Sequence, residues 1–126
     1  MFPLSEIRAN TISDAAGTGP ATLTKQSAAK AWVHFSTSTS TTLYSPSLNI
    51  SSLTDNGTGN TTVTMTNAFT GADGYNTCGT DDYYGMCNCG EDAGRSASAF
   101  RVHSYTNSFS FIDCNHTSVS MFGDLA

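Results

Sequence analysis

An all-β fold, an antiparallel β-sandwich domain with an extended N-terminal arm, is the architecture that three features of this 126-residue chain predict. Ser and Thr together make up roughly a quarter or more of it, against few of the strong helix formers Glu, Lys and Arg. Short runs with period-two alternation recur along its length. Dense turn signals separate those runs, above all Asp55-Asn56-Gly57-Thr58-Gly59-Asn60, with Asn-Gly at its centre.

The elements follow in order. Residues 1–27 carry Gly17-Thr18-Gly19-Pro20 and few large apolar groups after Ile12, so they read as an arm for attachment and trimerisation. Residues 28–126 form the globular domain. It opens with an apolar run, Ala29 to Phe35, containing the only Trp, and Ser36 to Thr42 is an unbroken hydroxyl tract, hence strand then loop. Trp32, inside an apolar run, is expected in the core. Leu48 to Leu53 and Thr61 to Thr66 flank the Asn-Gly turn as a hairpin, with Val63 and Met65 on one face. Residues from Gly71 to Gly94 hold six of the eleven glycines and three of the four cysteines, which predicts a long loop broken by short extended pieces. Ala97 to Thr106 reads as a strand with Phe100, Val102 and Ser104 on one face and Arg101, His103 and Tyr105 on the other. A turn at Thr106-Asn107-Ser108 leads to Phe109-Ser110-Phe111-Ile112, and Thr117, Val119 and Met121 share a face of the closing strand.

Composition restricts function. With 38% hydrophobic residues a lone protomer builds a thin core against roughly 1–2 kcal/mol of backbone entropy per residue, which favours an oligomer. A formal charge of −5 with only five Lys plus Arg offers no basic cluster for nucleic acid. Met1-Phe2-Pro3-Leu4-Ser5-Glu6 turns polar at once and no long apolar run follows, so neither an export signal nor membrane insertion is expected.

Several segments carry a family resemblance. Asn10-Thr-Ile-Ser-Asp-Ala-Ala-Gly-Thr-Gly-Pro20 and Leu23-Thr-Lys-Gln-Ser-Ala-Ala-Lys-Ala-Trp-Val33 resemble the opening of short tail-fibre proteins of tailed bacteriophages, of the cyanophage and marine-phage kind. Leu48 to Asn60 with Thr62 to Ala68 is similar to the hairpin in their globular part, and Ser98 to Val102 and Val119 to Gly123 resemble the last strands. The resemblance implies a homotrimeric virion protein whose arm attaches to tail or baseplate proteins while the globular end faces a host cell-surface glycan or protein. The chain departs from that pattern between Phe69 and Gly94.

That divergent segment supplies the expected recognition residues. Tyr75, Tyr83 and Tyr84 can stack on a sugar, and Asp82 can accept its hydroxyl hydrogen bonds; packing within the loop is the competing reading. The four cysteines permit three complete disulfide connectivities. Cys87 and Cys89 lie too close to pair comfortably, so Cys78 and Cys114 are their more natural partners; unpaired packed thiols and a zinc site are the alternatives, although Cys-x-Cys is not the usual knuckle spacing. His34, His103 and His116 are isolated in sequence and read as ordinary strand or interface residues. No Gly-x-Ser-x-Gly elbow, His-Glu-x-x-His helix or phosphate-binding loop occurs, and Asp73, Asp81, Asp82, Glu91 and Asp92 read as solvated loop acids. No catalysis, cofactor or metal is expected. The sequons at Asn49, Asn56, Asn60 and Asn115 are what a Ser/Thr-rich chain produces by chance. Against the tail-fibre reading stand a capsid decoration protein and a carbohydrate-binding module without catalysis.

Overall fold

The computed structural model describes residues 28–83, 87–89 and 94–126, with the backbone alone for 87–89; the arm expected over residues 1–27 lies outside them. The described chain is two antiparallel four-stranded sheets. Its strands are β1 (Ala31–Ser36), β2 (Thr42–Leu48), β3 (Ile50–Asp55), β4 (Asn60–Met65), β5 (Tyr75–Asp81), β6 (Cys87–Cys89), β7 (Ala99–Ser104) and β8 (Thr117–Gly123). Sheet I has the order β2-β1-β8-β5 and sheet II the order β3-β4-β7-β6.

Period-two alternation sets which side chains meet between the sheets. Ala31, Val33 and Phe35 of β1 and Val119 and Met121 of β8 pack against Val63 and Met65 of β4 and Phe100 and Val102 of β7, with Phe69 and Tyr75 completing the cluster. The β3–β4 hairpin forms around the Asn-Gly turn as the sequence predicts, with Asp55 opposite Thr61. Trp32 differs from expectation: it lies half-buried between buried Ala31 and Val33, because strict alternation turns it to the outer face.

Two strands are absent from the sequence reading. β2 carries Pro46 after a cis Ser45–Pro46 bond. Pro has no N–H to give a ladder, and the sheet edge with its register shift opposite β1 tolerates it. β5 is a full seven-residue strand rather than short pieces of loop, since Tyr75 to Asp81 pairs along the whole of β8. The chain changes sheet between β2 and β3 at Asn49, whose φ of 57° is a region that Asn enters more readily than most residues. Its side-chain amide donates to the Asn67 carbonyl at 3.0 Å and its side-chain oxygen accepts from the Asn67 amide at 2.7 Å.

The sandwich has two unlike poles. Ala31 opposite Met121, Tyr75 opposite Gly123 and Ile50 opposite Met65 mark one, where the described chain begins beside β8: the Lys30 amide donates to the Met121 carbonyl at 2.8 Å. Ser36 opposite Thr42, Asp81 opposite Thr117 and Cys87 opposite Ser104 mark the other. Burial is apolar toward the first pole, whereas the buried polar residues Ser36, Thr61, Asp81, His103, Ser104 and Thr117 all lie toward the second.

Candidate recognition pole

Loops 37–41, 56–59 and 105–116, with the start of the connection after β5, converge at this second pole. Backbone hydrogen bonds fix them to one another. The Thr37 amide donates to the Cys114 carbonyl at 2.9 Å, and the Cys114 amide donates to the Thr37 hydroxyl at 3.0 Å. The Ser104 amide donates to the Gly59 carbonyl at 3.0 Å and the Ile112 amide to the Ser104 carbonyl at 3.1 Å. The loops thereby form a rigid surface supported by sheet ends, the kind of scaffold on which binding residues are held.

Asp82 and Tyr83 sit on this surface. Oδ1 of buried Asp81 accepts the Tyr83 amide at 3.1 Å, an Asx-type turn, and the Asp82 amide donates to the His116 carbonyl at 2.9 Å. Both side chains point to solvent, with Tyr83 54% exposed. Tyr84 lies outside the described residues. Tyr75 is a correction: it is at the opposite pole and 5% exposed. Its ring stacks on Phe69 with centroids 4.5 Å apart, and its hydroxyl donates to the Ser96 and Ala99 carbonyls at 2.9 and 3.2 Å. Burial pushes the Tyr75 hydroxyl pKa up, partly offset by Arg95, whose guanidinium carbon lies 4.0 Å from the ring centroid. A ring so committed cannot offer a face to a receptor.

The side chains of Cys87 and Cys89, the disulfide partners expected for Cys78 and Cys114, lie outside the described residues. Cys78 and Cys114 are free thiols, one exposed and the other buried. Cys78 faces outward from β5, whereas Cys114 is buried beside Thr37, whose hydroxyl accepts its amide. Burial is the main reason the Cys114 thiol is pushed up to about 11, which is the opposite of an activated nucleophile. Among the described residues no group of three or more His, Cys, Asp or Glu side chains is placed to hold a metal ion.

Two aromatic groups at or near this pole are assembled by the fold. Phe109 is 75% exposed at the tip of the 105–111 turn, with φ at 62°, a conformation costly for a non-glycine residue. Thr106 holds this turn: its amide donates to the Ser110 carbonyl at 2.8 Å, its carbonyl accepts the Phe109 amide at 3.0 Å, and its hydroxyl accepts the Ser108 and Ser110 amides. Phe111, half exposed, stacks on Tyr105 at 5.1 Å and covers His103, which is why His103 is buried although β7 turns it away from the core. On the outer face of sheet I, His34, Tyr44 and His116 form a second group, with ring centroids 4.8 to 5.7 Å apart. The available signal for the first group was Phe at alternate positions in a Ser-rich turn; for the second there was none, since strand register alone joins residues 34, 44 and 116.

Flat aromatic faces beside Ser and Thr hydroxyls suit stacking and hydrogen bonding to a polyhydroxylated ligand. No family model, curated protein or solved structure matches this chain.

Proposed function

We propose that the protein is a non-catalytic virion component, a tail fibre that attaches through its N-terminal arm to the phage tail or baseplate and contributes to recognition of the host surface. The observation that carries this reading is polarity: the chain enters the sandwich beside Met121, at the pole opposite the one bearing exposed Tyr83, Phe109 and Phe111. An arm joined there leaves the aromatic pole free to face outward. The segment resemblance, the acidic balance and the hydroxyl-rich surface agree with that role.

Assembly as a homotrimer would add subunit contacts to a small core and multiply weak binding to a repetitive glycan through avidity. Exposed aromatics favour a host glycan over a protein receptor. The test is adsorption of the purified full-length chain to host cells and of virions carrying substitutions. Tyr83→Ala and Asp82→Ala are expected to reduce adsorption while leaving the denaturation midpoint unchanged; unaltered adsorption overturns the assigned surface. Binding to purified capsids and not to tails would instead identify a decoration protein, and a dilution-stable monomer would remove the trimer.

A further inference from the structure

His34 and His116 come from strands far apart in sequence, yet their ring nitrogens nearly touch. Nε2 of His34 lies 3.1 Å from Nδ1 of His116, with ring centroids 5.2 Å apart and planes inclined at 32°. The backbones beneath are fixed. His34 is in the middle of β1, paired with Tyr44 of β2 on one side and Ser118 of β8 on the other. His116 precedes Ser118 by two residues, and its carbonyl accepts the Asp82 amide at 2.9 Å. Tyr44 packs against both rings and donates its hydroxyl to the Asn115 carbonyl at 3.3 Å, which limits their rotation from the third side.

Such a contact is a hydrogen bond when one ring carries the proton between the two nitrogens. The same separation is what one metal ion demands of two cis imidazoles: with metal–nitrogen bonds of about 2.0–2.1 Å, nitrogens at a right angle stand about 3 Å apart. Imidazole selects Cu²⁺, Ni²⁺ and Zn²⁺, whereas Ca²⁺ and Mg²⁺ require oxygen donors. The pair is at the surface, so water can fill the remaining positions.

We propose that His34 and His116 form a bidentate site for a late divalent transition ion. On binding, the ring that donates the shared proton moves it to its other nitrogen; both imidazoles stay neutral and present Nε2 of His34 and Nδ1 of His116 to the metal. Tyr44 is a positioning residue. The remaining coordination positions are open to solvent on the outer face of sheet I, where an oxygen donor of a bound ligand could enter. This inference does not depend on the tail-fibre reading.

The test uses the full-length protein and Ni²⁺, followed by calorimetry and by paramagnetic broadening of backbone amide resonances. One ion per chain is expected, with broadening centred on residues 34, 44 and 116. His34→Ala and His116→Ala should each weaken binding by about a hundredfold, because each leaves a single imidazole without the second donor held beside it. Tyr44→Phe, which keeps the packed ring, should retain binding, and amide spectra of all variants should keep the sandwich pattern. Absence of binding, affinity unchanged in either His variant, or broadening centred on the cysteines would overturn the proposal.

Discussion

The amide of Gly59 donates to Oδ1 of Asp113 at 2.7 Å, joining the β3–β4 hairpin to the loop that leads into β8. Gly59 has no room for more than hydrogen on its α-carbon. With φ at 61°, an added Cβ would lie 2.7 to 2.8 Å from backbone atoms of Ile112 and Ser104. Gly59→Ala therefore combines strain with a clash that only backbone movement relieves, and should cost more than about 2 kcal/mol in urea denaturation. Gly57→Ala is the control: its φ is 115° but its Cβ would meet nothing within 4 Å, so only the conformational strain remains. Asp113→Ala should cost about 1.5–3 kcal/mol, the range for a hydrogen bond to a charged group. Asp113→Asn, which keeps an acceptor oxygen, should recover part of that loss.

Tyr75 and Tyr83 should separate stability from binding. Tyr75→Phe removes a hydroxyl from two backbone carbonyls and is expected to cost about 1 kcal/mol, while Tyr75→Ala empties a core site and should cost about 3–5 kcal/mol. Adsorption by the folded fraction should be unchanged in both. Tyr83→Ala should show the reverse, with an unchanged midpoint and weaker adsorption. A binding defect in folded Tyr75→Phe would contradict its place in the core.

Phe109 presents a trade-off of the opposite kind. Glycine adopts its positive φ without the steric cost that phenylalanine bears, so Phe109→Gly should stabilise the fold by up to about 1 kcal/mol. The same change removes a side chain that is 75% exposed, and should weaken adsorption if the pole contacts the host. Denaturation midpoints and adsorption assays on one preparation check both signs.

How far the sequence discloses this molecule depends on whether local pattern or register supplies the information. The Asn-Gly turn and the alternation of Phe100 with Val102, and of Val119 with Met121, are local, and they mark the hairpin and the core faces of β7 and β8 correctly. β2 was hidden because Ser, Thr and Pro46 give an edge strand no apolar face to alternate. β5 is hidden because its outward residues, Asn76, Cys78 and Thr80, with Gly74 just before it and Gly79 within it, resemble a loop; pairing with β8 overrides that weak propensity. Tyr75 turns inward for the same reason, as the first residue of a strand whose sequence shows no clear apolar alternation. Tyr83 and Asp82 lie within the segment expected as a long loop, but the pairing of His34 with His116 exists only once β1 and β8 are adjacent.

Cys78 and Cys114 provide a chemical check on that register and on the direction of one pKa shift. At mildly alkaline pH a maleimide should modify exposed Cys78 rapidly and leave buried Cys114 protected until unfolding, as read by peptide mapping. Burial holds the Cys114 thiol at about 11 in the folded protein against an ordinary value of 9.0. Below the lower value both states keep the proton, and the stabilising contribution is complete. As pH rises through this window the unfolded chain releases its proton while the folded chain retains it, so folding stability falls. Tyr75, whose hydroxyl is also shifted upward, adds a decline of the same sign at the alkaline end. Urea midpoints measured across the alkaline range should therefore fall less steeply in Cys114→Ala than in the wild type; parallel slopes would show that the thiol does not feel its burial.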